Sequence, residues 1–212
     1  MKKIIMIILV GLFISTMTCF AKENTATDTI SKADKKQYSE ITKDSQIIEV
    51  LEIMKNSPAK FAYEKILGNN QSKKPIKLIF KDLSTLNPQY KNYDALGWKR
   101  GRQLYIYINP KNTKASKEAL CALIAGRALH DDEIDSINEE VECMMIEAMT
   151  WDYFIDKNPA LEKEQSNLVE KRENIIRKYF IQGNKTDKYI RRIVKNNPSY
   201  QGLPETSPGF EN

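Results

Sequence analysis

Between Ser116 and Lys157 two helical patterns meet across a short acidic turn, and this spacing constrains the fold more than any other feature of the chain. In the first pattern Leu120, Leu123, Ala125 and Leu129 recur at helical spacing, and Ser116 stands where a hydroxyl caps an amino end ahead of Ala119 and Leu120. In the second, Ser136 precedes Glu139 at the spacing of a capping box, and Val141, Met145, Ala148 and Asp152 trace one face beside Met144, Trp151 and Ile155. The connection is only Asp131 to Asp135. So short a link makes helices adjacent and antiparallel, with residues equidistant from the turn facing each other. Taking the midpoint near Asp135, His130, the single histidine of the chain, falls opposite Glu140.

The 212 residues allow one domain with enough apolar content for a core. Residues 1–21 read as a signal peptide outside it: Lys2 and Lys3 precede an apolar run from Ile4 to Ile14, and Ser15, Thr16 and Thr18 lead to Cys19-Phe20-Ala21, with cleavage after Ala21. That run is shorter than the roughly 20 apolar residues a membrane span needs. Cys19 offers a rival, a lipoprotein anchored through that residue. Either way the expected location is exported, periplasmic or extracellular. Removing residues 1–21 takes away Lys2 and Lys3 and leaves 31 Lys plus Arg against 28 Asp plus Glu, a net charge of +3. So slight a surplus gives no ground for a nucleic-acid partner. The remaining cysteines, Cys121 and Cys143, lie about one turn off equal distance from the bend. They suit a disulfide clamping the helix pair or two buried apolar residues, and with one histidine they exclude a finger-type zinc site.

Taken in order, residues 22–45 are polar and read as a disordered or loosely helical tether. A helix over Gln46–Asn56 and another over Ala59–Leu67, ended by Gly68, follow as packing elements. The period then changes: Ile76, Leu78 and Phe80 alternate as a strand, Leu83–Tyr93 reads as a loop, and Ala95–Lys99 with Gln103–Asn109 flank a glycine turn as a hairpin. Tyr105 and Tyr107 share one face of the last strand, and Leu104, Ile106 and Ile108 the other. Beyond the helix pair, Ala160–Gln182 reads as a charged helix with a narrow apolar stripe. Thr186–Asn196 reads as a basic amphipathic one, either a solvated terminal helix or a weak contact for an anionic membrane or cell-wall polymer. Residues 197–212 carry three prolines and two glycines and should be an irregular tail. The expected fold is α+β, mainly helical, with a small antiparallel sheet packed against the central helix pair in a single domain over 46–196.

The register ending on His130 reads Gly126-Arg127-Ala128-Leu129-His130. Over roughly Pro75 to Lys157 this layout resembles the zincin metallopeptidases of the glutamate-ligand type, whose helix carries H-E-x-x-H with two zinc-binding histidines and a glutamate that activates water. The resemblance implies a zincin-like fold, with Gln103–Asn109 as the edge strand of a substrate cleft. It also implies a remnant metal site of His130 and Glu140, in which Gly126 replaces the first ligand, Arg127 replaces the catalytic glutamate, and Glu139 is the alternative third ligand. Arg127 removes the general base and supplies a cation that pairs with Glu139 or Glu140. No cofactor is then expected, and zinc only if the remnant site still binds metal.

Three functions stay open. The first is an exported, catalytically degenerate metallopeptidase-like protein that binds a peptide or protein, by strand addition along Gln103–Asn109. The second is an active metal-dependent peptidase using His130, Glu140 and one of Asp131, Asp132 or Glu133. The third is a plain exported helical interaction domain. For it, His130 suits a helix end, the acidic cluster Asp131, Asp132, Glu133 and Asp135 is a solvated turn, and Glu139 and Glu140 suit the start of the next helix. Contact with a membrane is expected only through a lipid on Cys19 or through the basic helix.

Overall fold

Helix α4 (Lys117–Arg127, KEALCALIAGR) has no polar face after its first turn, and every residue from Ala119 to Arg127 is buried. A helix that is apolar all round must be covered on every side. Helix α5 (Ile137–Lys157) covers it most extensively, and α2 (Ser45–Lys55), α3 (Lys60–Leu67), α6 (Asn167–Ile176) and strand β2 (Ala95–Arg100) close the remaining sides. The computed structural model describes residues 31–68, 74–129, 135–178 and 187–211. Residues 1–21, read above as a signal peptide, with Cys19, and His130 with Asp131, Asp132 and Glu133, lie outside the described residues. Ser116 caps α4 by accepting from the Ala119 amide at 3.1 Å, and Ser136 caps α5 by accepting from Glu139 at 3.2 Å.

The fold is α+β and mostly helical, and the described residues form one three-stranded sheet. Strands β1 (Lys77–Phe80), β2 and β3 (Gln103–Ile108) lie in the order β1-β3-β2. β2 and β3 form the expected hairpin, turned by Gly101 at φ 59°, a conformation that costs glycine nothing. β1 runs parallel to β3, so the sheet is mixed rather than wholly antiparallel. This topology also corrects the place of Gln103–Ile108, which is the interior strand, its backbone engaged on both sides. The edges are β1 and β2. The alternation read from sequence does hold: Ile106 and Ile108 are buried, while Tyr105 and Tyr107 stack with centroids 5.3 Å apart on the opposite face, in register with Trp98 and Leu96.

Three elements depart from expectation. Where a tether was expected, residues 32–41 form helix α1 (Lys32–Ile41), with Tyr38 and Ile41 buried and the Tyr38 hydroxyl 3.0 Å from that of Tyr63. Two apolar residues three apart suffice to dock a helix whose other faces are charged. The expected helix over Ala160–Gln182 is broken, with a 3-10 turn at Pro159–Lys163 and α6 beginning only after Ser166, which accepts from the Val169 amide. The interruption places Glu164 at the start of α4, where its Oε1 accepts from the Ser116 amide at 3.1 Å and the Ser166 hydroxyl at 3.0 Å. The tail after α7 (Lys188–Asn196) is irregular but docked. Pro204 and Glu205 carbonyls accept from the Ile137 and Asn138 amides at 2.9 and 3.1 Å, partners for the first turn of α5 that no residue within the helix can supply.

Cys121 and Cys143 are separate buried thiols. Cys143 donates to the Gly126 carbonyl at 3.1 Å, and burial pushes the Cys121 thiol up to about 12. Among the described residues no helix is long and apolar enough to cross a membrane.

If α1 is part of the folded unit, Tyr38→Ala lowers stability by about 3–5 kcal/mol, the usual cost of deleting a buried aromatic ring. Urea unfolding of residues 22–212 measures it; an unchanged midpoint would return this segment to the status of a tether.

Candidate functional site

The carboxyl end of α4 meets the amino-terminal half of α5 at a pair of buried opposite charges. Arg127 donates from Nη1 and Nη2 to the two oxygens of Glu140 at 2.8 and 3.0 Å, a bidentate pairing in which both side chains are nearly inaccessible to water. Two turns further along the same face of α5, Glu147 Oε1 lies 3.5 Å from Arg127 Nε, and Glu147 Oε2 accepts from Arg172 Nη2 of α6 at 3.1 Å. The result is an alternating row, Glu140, Arg127, Glu147, Arg172. Tyr200, from the docked tail, sets its hydroxyl on Glu140.

Burial opposes every charge in this row, and the partners decide which charges survive it comfortably. Against that burial, Glu140 and the neighbouring groups hold the Arg127 guanidinium well above its ordinary value. The outcome is the reverse at the other end. Burial pushes the Glu147 carboxyl up despite Arg172 and Arg127, and pulls Arg172 down despite Glu147. Arg127 with Glu140 is therefore the secure pair and Glu147 with Arg172 the strained one.

Beside the row lies a cavity of about 630 Å³, walled by α4, α5, α6, α7, the tail through Tyr200, and the segment entering β2. Tyr93 of that segment donates to the Ser199 carbonyl at 2.6 Å and so ties the tail across the cavity. Next to it, Asp94 pairs with Lys111 at 3.1 Å and with Lys171. Burial alone would raise the Asp94 carboxyl, but Lys171 and Lys111 hold it below its usual range.

Of the site residues expected from sequence, Arg127 and Glu140 are brought together. Glu139 turns elsewhere and accepts from the Ser207 hydroxyl at 3.2 Å. Gly126 is a packing residue: a Cβ there would stand 2.7 Å from the Cys143 carbonyl oxygen and 2.6 Å from Glu147 Cγ. Both Glu140 oxygens are engaged by a cation, and position 126 holds neither a donor nor space for one. Among the described residues, no three or more His, Cys, Asp or Glu converge on a point that would hold a metal ion. Glu147, Arg172 and Tyr200 went unread in the sequence. A signal for two of them was present, since Glu147 sits seven residues after Glu140 on an otherwise apolar face, and Arg172 interrupts the stripe Leu168, Ile175, Ile176. No family model matches the chain, and no curated protein or solved structure matches it either.

Arg127→Met should cost about 3–5 kcal/mol by stranding Glu140, and adding Glu140→Leu should recover most of it; a double mutant no more stable than the single would show that the pair is not the unit that matters. Gly126→Ala should cost about 1–3 kcal/mol by forcing α5 away, read as a lower urea midpoint. Asp94, held low, contributes stability that is complete above the ordinary carboxyl range and disappears as pH falls through its lowered value. Asp94→Asn should therefore flatten the acid limb of a stability-against-pH curve, and an unaltered limb would rule out that linkage.

Proposed function

We propose that the chain is an exported binding protein, built on a metallopeptidase-like layout that has lost its catalytic chemistry, and that it receives a peptide or protein segment in the cavity beside Arg127. The observation that carries this reading is the engagement of Arg127 with both Glu140 and Glu147. A peptidase of this layout needs, at that point, a carboxylate free to take a proton from water and another free to hold metal. A guanidinium keeps its proton and accepts none, and here it also holds the carboxylate of the following helix.

Two further features support binding. The cavity lies within the range of roughly 300–1,000 Å³ typical of ligand sites. Its wall includes Ala95, the first residue of β2, which is an edge strand among the described residues, so an extended segment leaving the cavity meets that edge. Strand addition therefore belongs to β2, because β3 is paired on both sides. Export rests on Lys2, Lys3 and the apolar run before Ala21.

The test uses residues 22–212, loaded with zinc, dialysed and assayed for metal and for peptide hydrolysis. In parallel, its amide resonances are followed while a pool of short random peptides is added. The expected outcome is far less than one zinc per chain, no hydrolysis, and shifts gathered on the cavity wall and β2. Stoichiometric zinc with hydrolysis would establish an enzyme instead. Shifts confined to distant surfaces would remove the cavity from the proposal.

A further inference from the structure

The cavity wall carries more positive than negative charge. Among its described residues, Arg127, Lys171, Arg172 and Lys178 stand against Asp94 and Glu147, and counting Glu140 behind Arg127 and Lys111 behind Asp94 still leaves cations in excess. Arg172 locates part of that excess. It is 1% exposed, its Nη2 is committed to Glu147, and its Nε and Nη1 have no hydrogen-bond partner among the described residues. A buried donor left unsatisfied costs about 1–3 kcal/mol, and more on a charged group. Lys178 holds its ammonium 4.9 Å from the centre of the Tyr189 ring and has no carboxylate partner among the described residues. Met144, Ile175 and Ile193 complete the wall with apolar surface.

We propose that the cavity recognises a small organic carboxylate, its anionic end drawn to Arg172 and Lys178 and its apolar part resting on Met144, Ile175 and Ile193. The apolar wall calls for a carbon body rather than a bare inorganic ion, since burying apolar surface stabilises the complex. The inference rests on the reading of the cavity as a ligand site and gives its occupant a chemistry that includes the free carboxyl end of a short peptide.

Calorimetry and amide shifts on residues 22–212 test it, with 3-phenylpropanoate, its uncharged amide, inorganic phosphate, and a dipeptide pool with free or amidated carboxyl ends. The acid should bind saturably, with shifts at Ile175, Tyr189 and Ile193, and the amide at least about tenfold more weakly. Arg172→Gln and Lys178→Gln should each weaken the acid by about tenfold. Lys178→Gln gives up only the contact with the Tyr189 ring and still folds, which keeps the test valid should Arg172→Gln fail to fold. Phosphate binding more tightly than the acid overturns the proposal. Free and amidated dipeptides binding alike in the cavity overturn carboxylate recognition while leaving the peptide-binding reading in place, and no binding by any of these ligands removes both.

Discussion

The guanidinium of Arg127, withdrawn from water and held between Glu140 and Glu147, is the interaction on which the rest of the structure depends. Taking an ion out of water costs several kcal/mol even after relaxation, and two well-made hydrogen bonds to one carboxylate are what offset it here. The pairing is possible only because α4 and α5 come unusually close at Gly126. With no Cβ at that position, the Cys143 carbonyl and the Glu147 side chain move in to fill the space, and Cys143 returns a hydrogen bond to the Gly126 carbonyl. Close backbone approach and buried charge are thus one feature, since a wider helix pair would leave Glu140 and Glu147 out of reach of Arg127.

From that contact the arrangement spreads outward through residues distant in sequence. α6 contributes Arg172 to the second carboxylate, and its delayed start lets Glu164 cap α4. The tail contributes Tyr200 to the first carboxylate while its backbone caps α5. Each addition satisfies groups that burial would otherwise leave unpaired. The compensation is complete at the Glu140 end and incomplete at Arg172, and it is at the incomplete end that the cavity wall has charge and hydrogen-bonding capacity to spare. The secure pair holds the helices, and the strained one lines the cavity.

The same row bears on the metallopeptidase-like layout. The sequence positions that would carry a ligand and a base are here a packing glycine and a structural cation, each with its own reason to be what it is. Strand β3, α4 and α5 follow one another along the chain. The strand beside the cavity, however, is β2 and not β3, because β1 joins the sheet parallel to β3 and takes its other side.

By itself the sequence determined the local elements: the helix pair with its serine caps, the glycine-turned hairpin, the alternating faces of β3, and the opportunity for Arg127 to meet a glutamate. These follow from periodicity, capping spacing and turn chemistry, which act within a few residues. Only the tertiary structure decided that α1 docks, that the expected long helix after α5 breaks, that β3 is interior, and that Glu147, Arg172 and Tyr200 join the site. The reason is physical. Docking, sheet order and charge compensation depend on which groups become buried together, and burial is a property of segments brought together from far apart in the chain.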